Sequence, residues 1–220
     1  MYLMLDNIYV STYGNLPKRR EFGNLNYMKY SLRFNPPEKW NVVKSHNRYF
    51  FGLIHQLQFI QYHFKEKGGL KMLEIGSYRG ESTFMWASSG MFDEIICIDP
   101  YKGETDNKNK YFDEDWSTVK RDFWTNTRYF NNIKLVQDFS YNVIDSYPNN
   151  YFDFIYIDAS HEYDDVKKDI QISLPKVKKN GLIGGHDYQS EWPGVIKAVN
   201  ERFKEPDLVF EDESWVKVNS

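Results

Sequence analysis

Met72-Leu-Glu-Ile-Gly-Ser-Tyr-Arg-Gly-Glu-Ser-Thr83 is the stretch that decides the fold. An apolar run over residues 70–75 reads as a buried strand. It stops at Gly76, a second glycine follows at Gly80, and residues 81–88 read as a helix. A strand that turns through glycine into a helix is the ligand-binding corner of open α/β sheets. Glycine lets the backbone come close to a ligand, and the new helix presents unpaired N–H groups. The same turn excludes two common occupants. A dinucleotide fingerprint needs G-x-G-x-x-G, but Glu74 stands where its first glycine belongs and would repel a pyrophosphate. A phosphate-binding P-loop ends in Gly-Lys-Ser/Thr, whereas Gly80 is followed by Glu81. An acidic, glycine-lined turn suits a cationic ligand with an amino-acid tail.

Outward from this corner, strand and helix patterns alternate. Phe50, Leu53, Ile54, Leu57 and Ile60 form one apolar stripe at spacings of three and four, a helix that ends at Gly68-Gly69. Downstream, strands are expected over residues 94–98, 133–136, 151–157 and 181–184. Helices are expected over 116–129, 141–146, 163–174 and 193–203. A closing hairpin is expected from 208–210 and 215–218. This alternation predicts an α/β fold with a mostly parallel sheet and helices on both faces. Residues 1–45 differ. They carry Gly14, Pro17, Gly23 and Pro36-Pro37 without a sustained period. They read as an extension that wraps the domain or lines an acceptor site, with the domain proper over 46–220. Lys18-Arg19-Arg20 reads as a solvated charge cluster.

Composition removes several function classes. A chain of 220 residues suffices for one well-buried α/β domain. The net charge of −3 gives no electrostatic case for nucleic acid. The single cysteine, Cys97, sits in Ile95-Ile-Cys-Ile98 and reads as core; one cysteine allows neither an internal disulfide nor a zinc pattern. No apolar run is long enough to span a membrane, and the start lacks a signal-peptide pattern, so a soluble cytoplasmic protein is expected. A homo-oligomer stays open.

The expected strand ends carry the chemistry. Asp99 lies about one βα unit after Gly76, where Rossmann-like folds place an acid on ribose hydroxyls. The run Phe152-Asp-Phe-Ile-Tyr-Ile-Asp-Ala-Ser-His-Glu-Tyr163 ends a strand at Asp158, with His161 three residues on. The next strand ends in Gly184-Gly-His-Asp-Tyr188. Carboxyl ends of neighbouring parallel strands open on one crevice. Asp158, His161, His186 and Asp187 should therefore gather there and could hold a divalent metal. The carboxylates favour Mg²⁺ or Mn²⁺, and the histidines keep Fe²⁺ and Zn²⁺ open. The polar segment 101–116 reads as a lid or a surface loop. Trp116, Tyr188 and Trp192 are candidates for stacking on a sugar.

The E-x-G-x-x-x-G turn resembles the first motif of class I S-adenosylmethionine (SAM) dependent methyltransferases. Together with Asp99, Ile157-Asp-x-x-His-x-Tyr163 and the segment 181–188, it resembles the branch of macrolide-sugar O-methyltransferases and cephalosporin methylation protein relatives. The resemblance covers about residues 46–220 and implies a Rossmann-like, seven-stranded sheet with a closing antiparallel strand. It implies SAM contacts at Glu74, Gly76, Ser77, Gly80, Asp99 and Asp158. Asp138 and Phe139 would flank the adenine. It further implies a metal on Asp158 and Asp187 that holds two adjacent sugar hydroxyls, with His186 as third ligand or substitute base. Two departures stand out. Relatives with an acidic pair at the second metal position are matched here by His186-Asp187. Where some have an acidic base, this chain has Ser160 followed by His161, which is taken as the base. The implied reaction is methyl transfer to a sugar hydroxyl of a carbohydrate or glycosylated small molecule. A catechol or phenol acceptor and a non-catalytic SAM-binding module are the alternatives.

Overall fold

Central strands buried on both faces build the molecule. The computed structural model describes residues 8–11, 31–34, 47–65, 67–102, 114–210 and 212–220. Two short strands, β1 (Ile8–Ser11) and β2 (Ser31–Phe34), pair antiparallel. The rest of the expected extension, including Lys18-Arg19-Arg20, lies outside the described residues, as does 103–113 of the expected lid.

Helix α1 (Asn47–His63) precedes the alternating units. These are β3 (Leu70–Ile75), α2 (Glu81–Ser88), β4 (Phe92–Ile98), α3 (Trp116–Thr127), β5 (Ile133–Val136), α4 (Ser140–Val143) with a 3₁₀ turn over Ile144–Ser146, and β6 (Phe152–Ile157). Then follow α5 (Tyr163–Ser173), β7 (Val177–Gly185), α6 (Pro193–Phe203), β8 (Leu208–Val209) and β9 (Trp215–Val218). The seven strands lie in the order β5-β4-β3-β6-β7-β9-β8. β9 runs antiparallel to both β7 and β8, and the other pairs are parallel. The expected α/β architecture and closing hairpin are therefore present. β7 starts earlier than its apolar pattern, because Lys178, Lys179 and Asn180 occupy its exposed beginning.

Alternation splits the core into two layers. Met72 of β3, Ile95 and Cys97 of β4, and Phe154 and Tyr156 of β6 face the side covered by α1, α2 and α3, with Leu53, Ile54, Trp86 and Phe123. Leu73, Ile75, Ile96, Ile98, Ile155 and Ile157 face the other side, with Val166, Ile170, Val195 and Val199 of α5 and α6. Glu74, within the strand expected over 70–75, shares the parity of Met72. Its carboxylate is fully buried beneath α2, where it accepts from Thr83 Oγ1, from Trp86 Nε1 at 3.0 Å and from Cys97 Sγ at 3.5 Å. Burial pushes its pKa up, against the pull of these donors.

Asp169 of α5 is a second buried carboxylate and accepts from Ser140 Oγ at the start of α4. Burial raises its pKa to about 6, although the Ser140 bond opposes the rise. A raised carboxylate contributes fully below its ordinary value of 3.8, and that contribution is lost as pH climbs through about 6. Asparagine at 169 keeps an acceptor for Ser140 and cannot ionise. Asp169→Asn should therefore stabilise the fold by about 1–3 kcal/mol at pH 8 and by almost nothing at pH 3.5. Urea unfolding at both pH values checks this; an equal difference at both would refute it. Among the described residues, no helix is long and apolar enough to cross a membrane.

Candidate active site

The strand order reverses at β3, whose neighbours are β4 and β6. Ligands of open α/β sheets bind outside the carboxyl ends at such a switch point. The chain leaves β3 through Gly76, at φ +85°. A Cβ there would lie 2.1 Å from the Asp158 carbonyl oxygen, so only glycine lets the ends of β3 and β6 approach this closely. Gly80, also left-handed, stands as N-cap of α2.

Asp99 at the end of β4 ties the turn down. Its Oδ2 accepts from the backbone N–H of Ser77 (3.1 Å) and Tyr78 (2.8 Å), and its Oδ1 accepts from the N–H of Tyr101 (2.8 Å). The sequence reading assigned Asp99 a ribose; the fold adds this structural task. Tyr78, at φ +43°, is held there by Asp99 and by the Tyr101 hydroxyl donating to its carbonyl at 3.1 Å. The Trp116 ring meets the Tyr78 ring edge-on, with centroids 6.3 Å apart. Asp138 accepts from the Phe139 N–H and from Asn142 Nδ2, both at 2.7 Å, and so steadies the start of α4. The Asn142 and Phe139 bonds lower its pKa. Phe139 stacks on Tyr141, with centroids 5.3 Å apart.

Further along the crevice, β6 and β7 deliver the residues that the sequence singled out. Asp158, His186 and Asp187 each offer one ligand atom, and these atoms lie within 4.8 Å of one another. Asp187 turns the chain at φ +60°, a left-handed conformation that aspartate tolerates better than most residues. Its Oδ2 accepts from His161 Nε2 at 2.8 Å and lies 3.2 Å from His186 Nδ1. Gln189 Nε2 donates to Asp187 Oδ1 at 3.1 Å. The His161 ring also stacks on Trp192, with centroids 3.9 Å apart and planes 19° from parallel. Thus Trp192, expected to stack on a sugar, stacks on His161, and Tyr188 donates its hydroxyl to Asn200 Oδ1 at 2.7 Å.

Electrostatics separate these groups. Burial would raise the Asp187 pKa, but the His161 and His186 bonds hold its carboxyl well below the usual range. Burial pushes Asp158 up, partly offset by His186. Burial alone would lower His186, but the Asp158, Asp187 and Asp212 carboxylates overturn that and raise it to about 9. Asp212 was not legible as a site residue. It precedes β9, and its Oδ2 lies 3.7 Å from His186 Nε2.

A seven-stranded sheet in this order, with a glycine turn at its switch point and acidic strand ends, is the architecture of the class I SAM-dependent methyltransferase fold. A family model described as a methyltransferase domain matches residues 73–188, and the chain belongs to that family. The chain is 30% identical over 145 residues to protein R132 of Acanthamoeba polyphaga mimivirus, a match that spans 62% of this chain and 60% of that relative's length. Among solved structures, it resembles a Corynebacterium glutamicum protein (TM-score 0.55, 14% identity, 84% of this chain and 92% of that one). It also resembles the TDP-rhamnose 3'-O-methyltransferase of calicheamicin biosynthesis (TM-score 0.51, 13% identity, 83% and 87%). A third likeness is to an O-methyltransferase from Bacillus cereus in complex with SAH (TM-score 0.50, 16% identity, 76% and 81%). At these identities the structural likenesses establish the fold.

Proposed function

We propose that this methyltransferase transfers the methyl group of SAM to a sugar hydroxyl of a glycan or glycosylated small molecule. One observation carries the reading: two imidazoles and two carboxylates converge at the ends of β6 and β7, beside the switch-point turn. SAM would lie across the ends of β3 and β4. The backbone of Gly76, Ser77 and Gly80 would line it, Asp99 would face the ribose, and Asp138 and Phe139 would flank the adenine.

A sugar hydroxyl is a weak nucleophile and needs a base. His161 is suited to that role. Its Nε2–H is donated to Asp187, so the base nitrogen would be Nδ1, an atom buried in this fold that the acceptor would have to reach. The stack on Trp192 fixes the ring plane, which limits the geometries from which the proton can be taken. The acceptor oxygen then attacks the methyl carbon, the carbon–sulfur bond breaks, and the electron pair stays on sulfur. His186 is the substitute base, and with its pKa raised to about 9 it would take a proton only at alkaline pH. The donor set of Asp158, His186 and Asp187 fits a divalent ion such as Mg²⁺ or Mn²⁺. Such an ion would acidify and orient a bound hydroxyl.

The test is release of S-adenosylhomocysteine with a panel of deoxysugar glycosides and catechols, with and without EDTA. Turnover on a glycoside that stops with EDTA and returns with Mg²⁺ or Mn²⁺ is expected. Preference for catechols would replace the acceptor class. Turnover indifferent to EDTA would remove the metal and leave His161 as the working group.

A further inference from the structure

We infer that Asp212 is a positioning residue that holds His186 from behind, so that His186 Nε2 faces Asp212 and Nδ1 faces Asp187. The inference rests on the metal reading proposed above and extends it by one carboxylate.

Topology brings the two residues together. β9 lies antiparallel beside β7, with Trp215 opposite Gly185. The chain therefore leaves β7 at His186 next to the point where residues 212–214 enter β9. The Asp212 side chain is 1% exposed. Its Oδ1 is fixed by the Ser214 N–H (3.0 Å) and hydroxyl (2.6 Å). That leaves Oδ2, which is buried and has no hydrogen-bond partner among the described residues, 3.7 Å from His186 Nε2. The opposite ring nitrogen, Nδ1, is 3.2 Å from Asp187 Oδ2.

A second, independent feature shows that the molecule makes room for this carboxylate. Gly52 sits inside α1, a place where glycine weakens a helix. A Cβ at residue 52 would lie 1.8 Å from Asp212 Oδ1. The helix thus carries glycine at a position where the Asp212 carboxylate packs against it. Burying a carboxylate this deeply is unfavourable unless a cation or donor meets it. His186 is the group that meets Oδ2. Metal-ligating histidines characteristically donate the opposite ring N–H to a carboxylate, which sets the ring orientation and strengthens the donor nitrogen.

The experiment is Mn²⁺ titration of the full chain with S-adenosylhomocysteine bound, followed by electron paramagnetic resonance. It compares wild type, Asp212→Asn, His186→Ala and the double variant. Asp212→Asn should weaken Mn²⁺ binding by about 10–100-fold. S-adenosylhomocysteine affinity should not change. In the His186→Ala background the same substitution should cost nothing further, because Asp212 acts through that ring. Unchanged Mn²⁺ affinity in Asp212→Asn, or an equal loss in both backgrounds, overturns the inference. Absence of Mn²⁺ binding by wild type overturns the metal reading itself, a different result. Gly52→Ala is the second variant should Asp212→Asn not fold. Its methyl group displaces the carboxylate without removing it and should also weaken Mn²⁺; wild-type affinity there counts against the inference.

Discussion

Asp158→Ala is expected to lose methyl transfer by about 10²–10⁴-fold while SAM still binds with nearly native affinity. The side chain stands at the end of β6 with Asp187 and His186, on the far side of Gly76 from Asp99 and the Asp138–Phe139 segment. Its removal deletes one of two carboxylates that would hold a metal and orient the acceptor. It also deletes a charge that helps hold the His186 pKa up. The turn that would carry SAM is held by Asp99, not by the Asp158 side chain. Single-turnover methyl transfer and calorimetric SAM binding, measured on the same preparation, separate the two effects. Turnover near the wild-type rate would remove Asp158 from the catalytic machinery. A parallel collapse of SAM affinity would make it a cofactor contact.

Gly76→Ala should be the most damaging single methyl group in the crevice. At φ +85° an alanine already carries about 1–2 kcal/mol of strain. Its Cβ would also overlap the Asp158 carbonyl at 2.1 Å, and that atom belongs to backbone that cannot rotate away. The ends of β3 and β6 must part, and the turn that presents Ser77 and Tyr78 to Asp99 moves with them. Loss of several kcal/mol of stability, roughly 3–5, is expected together with loss of SAM binding. Chemical denaturation and SAM titration give both numbers. An alanine variant with native stability and affinity would mean that the two strand ends do not approach as described.

Much of the fold was legible because the signals were local. Gly76 and Gly80 bracket the turn, and the apolar runs of β3, β4 and β6 could be read from a few neighbouring residues. The site was legible in part for the same reason: Asp158, His161, His186 and Asp187 all stand just after apolar strands, and parallel strands end on one side. Glu74 shows where local reading fails. It lies two residues before Gly76 and was read as the acidic element of the cofactor corner; the strand's period of two sends its carboxylate under α2 to Thr83 and Trp86. Trp192 was a candidate for a sugar; its partner is the ring of His161.

The amino-acid order by itself determined the strand–turn–helix corner, the alternation that makes a parallel sheet, and the set of acids and histidines at strand ends. These depend on steric and burial preferences that act over a few residues. Tertiary structure alone decided which groups meet. Asp99 closes on a turn more than 20 residues back in the chain. Asp187 takes two imidazoles at once, and Asp212 reaches His186 because β9 inserts beside β7 with reversed direction. Gly52, which as a letter in a helix says only that the helix is weakened there, acquires its reason when the Asp212 carboxylate packs against it. Such partnerships follow from sheet order and strand direction, which are properties of the whole chain's packing and are not written in any short stretch of it.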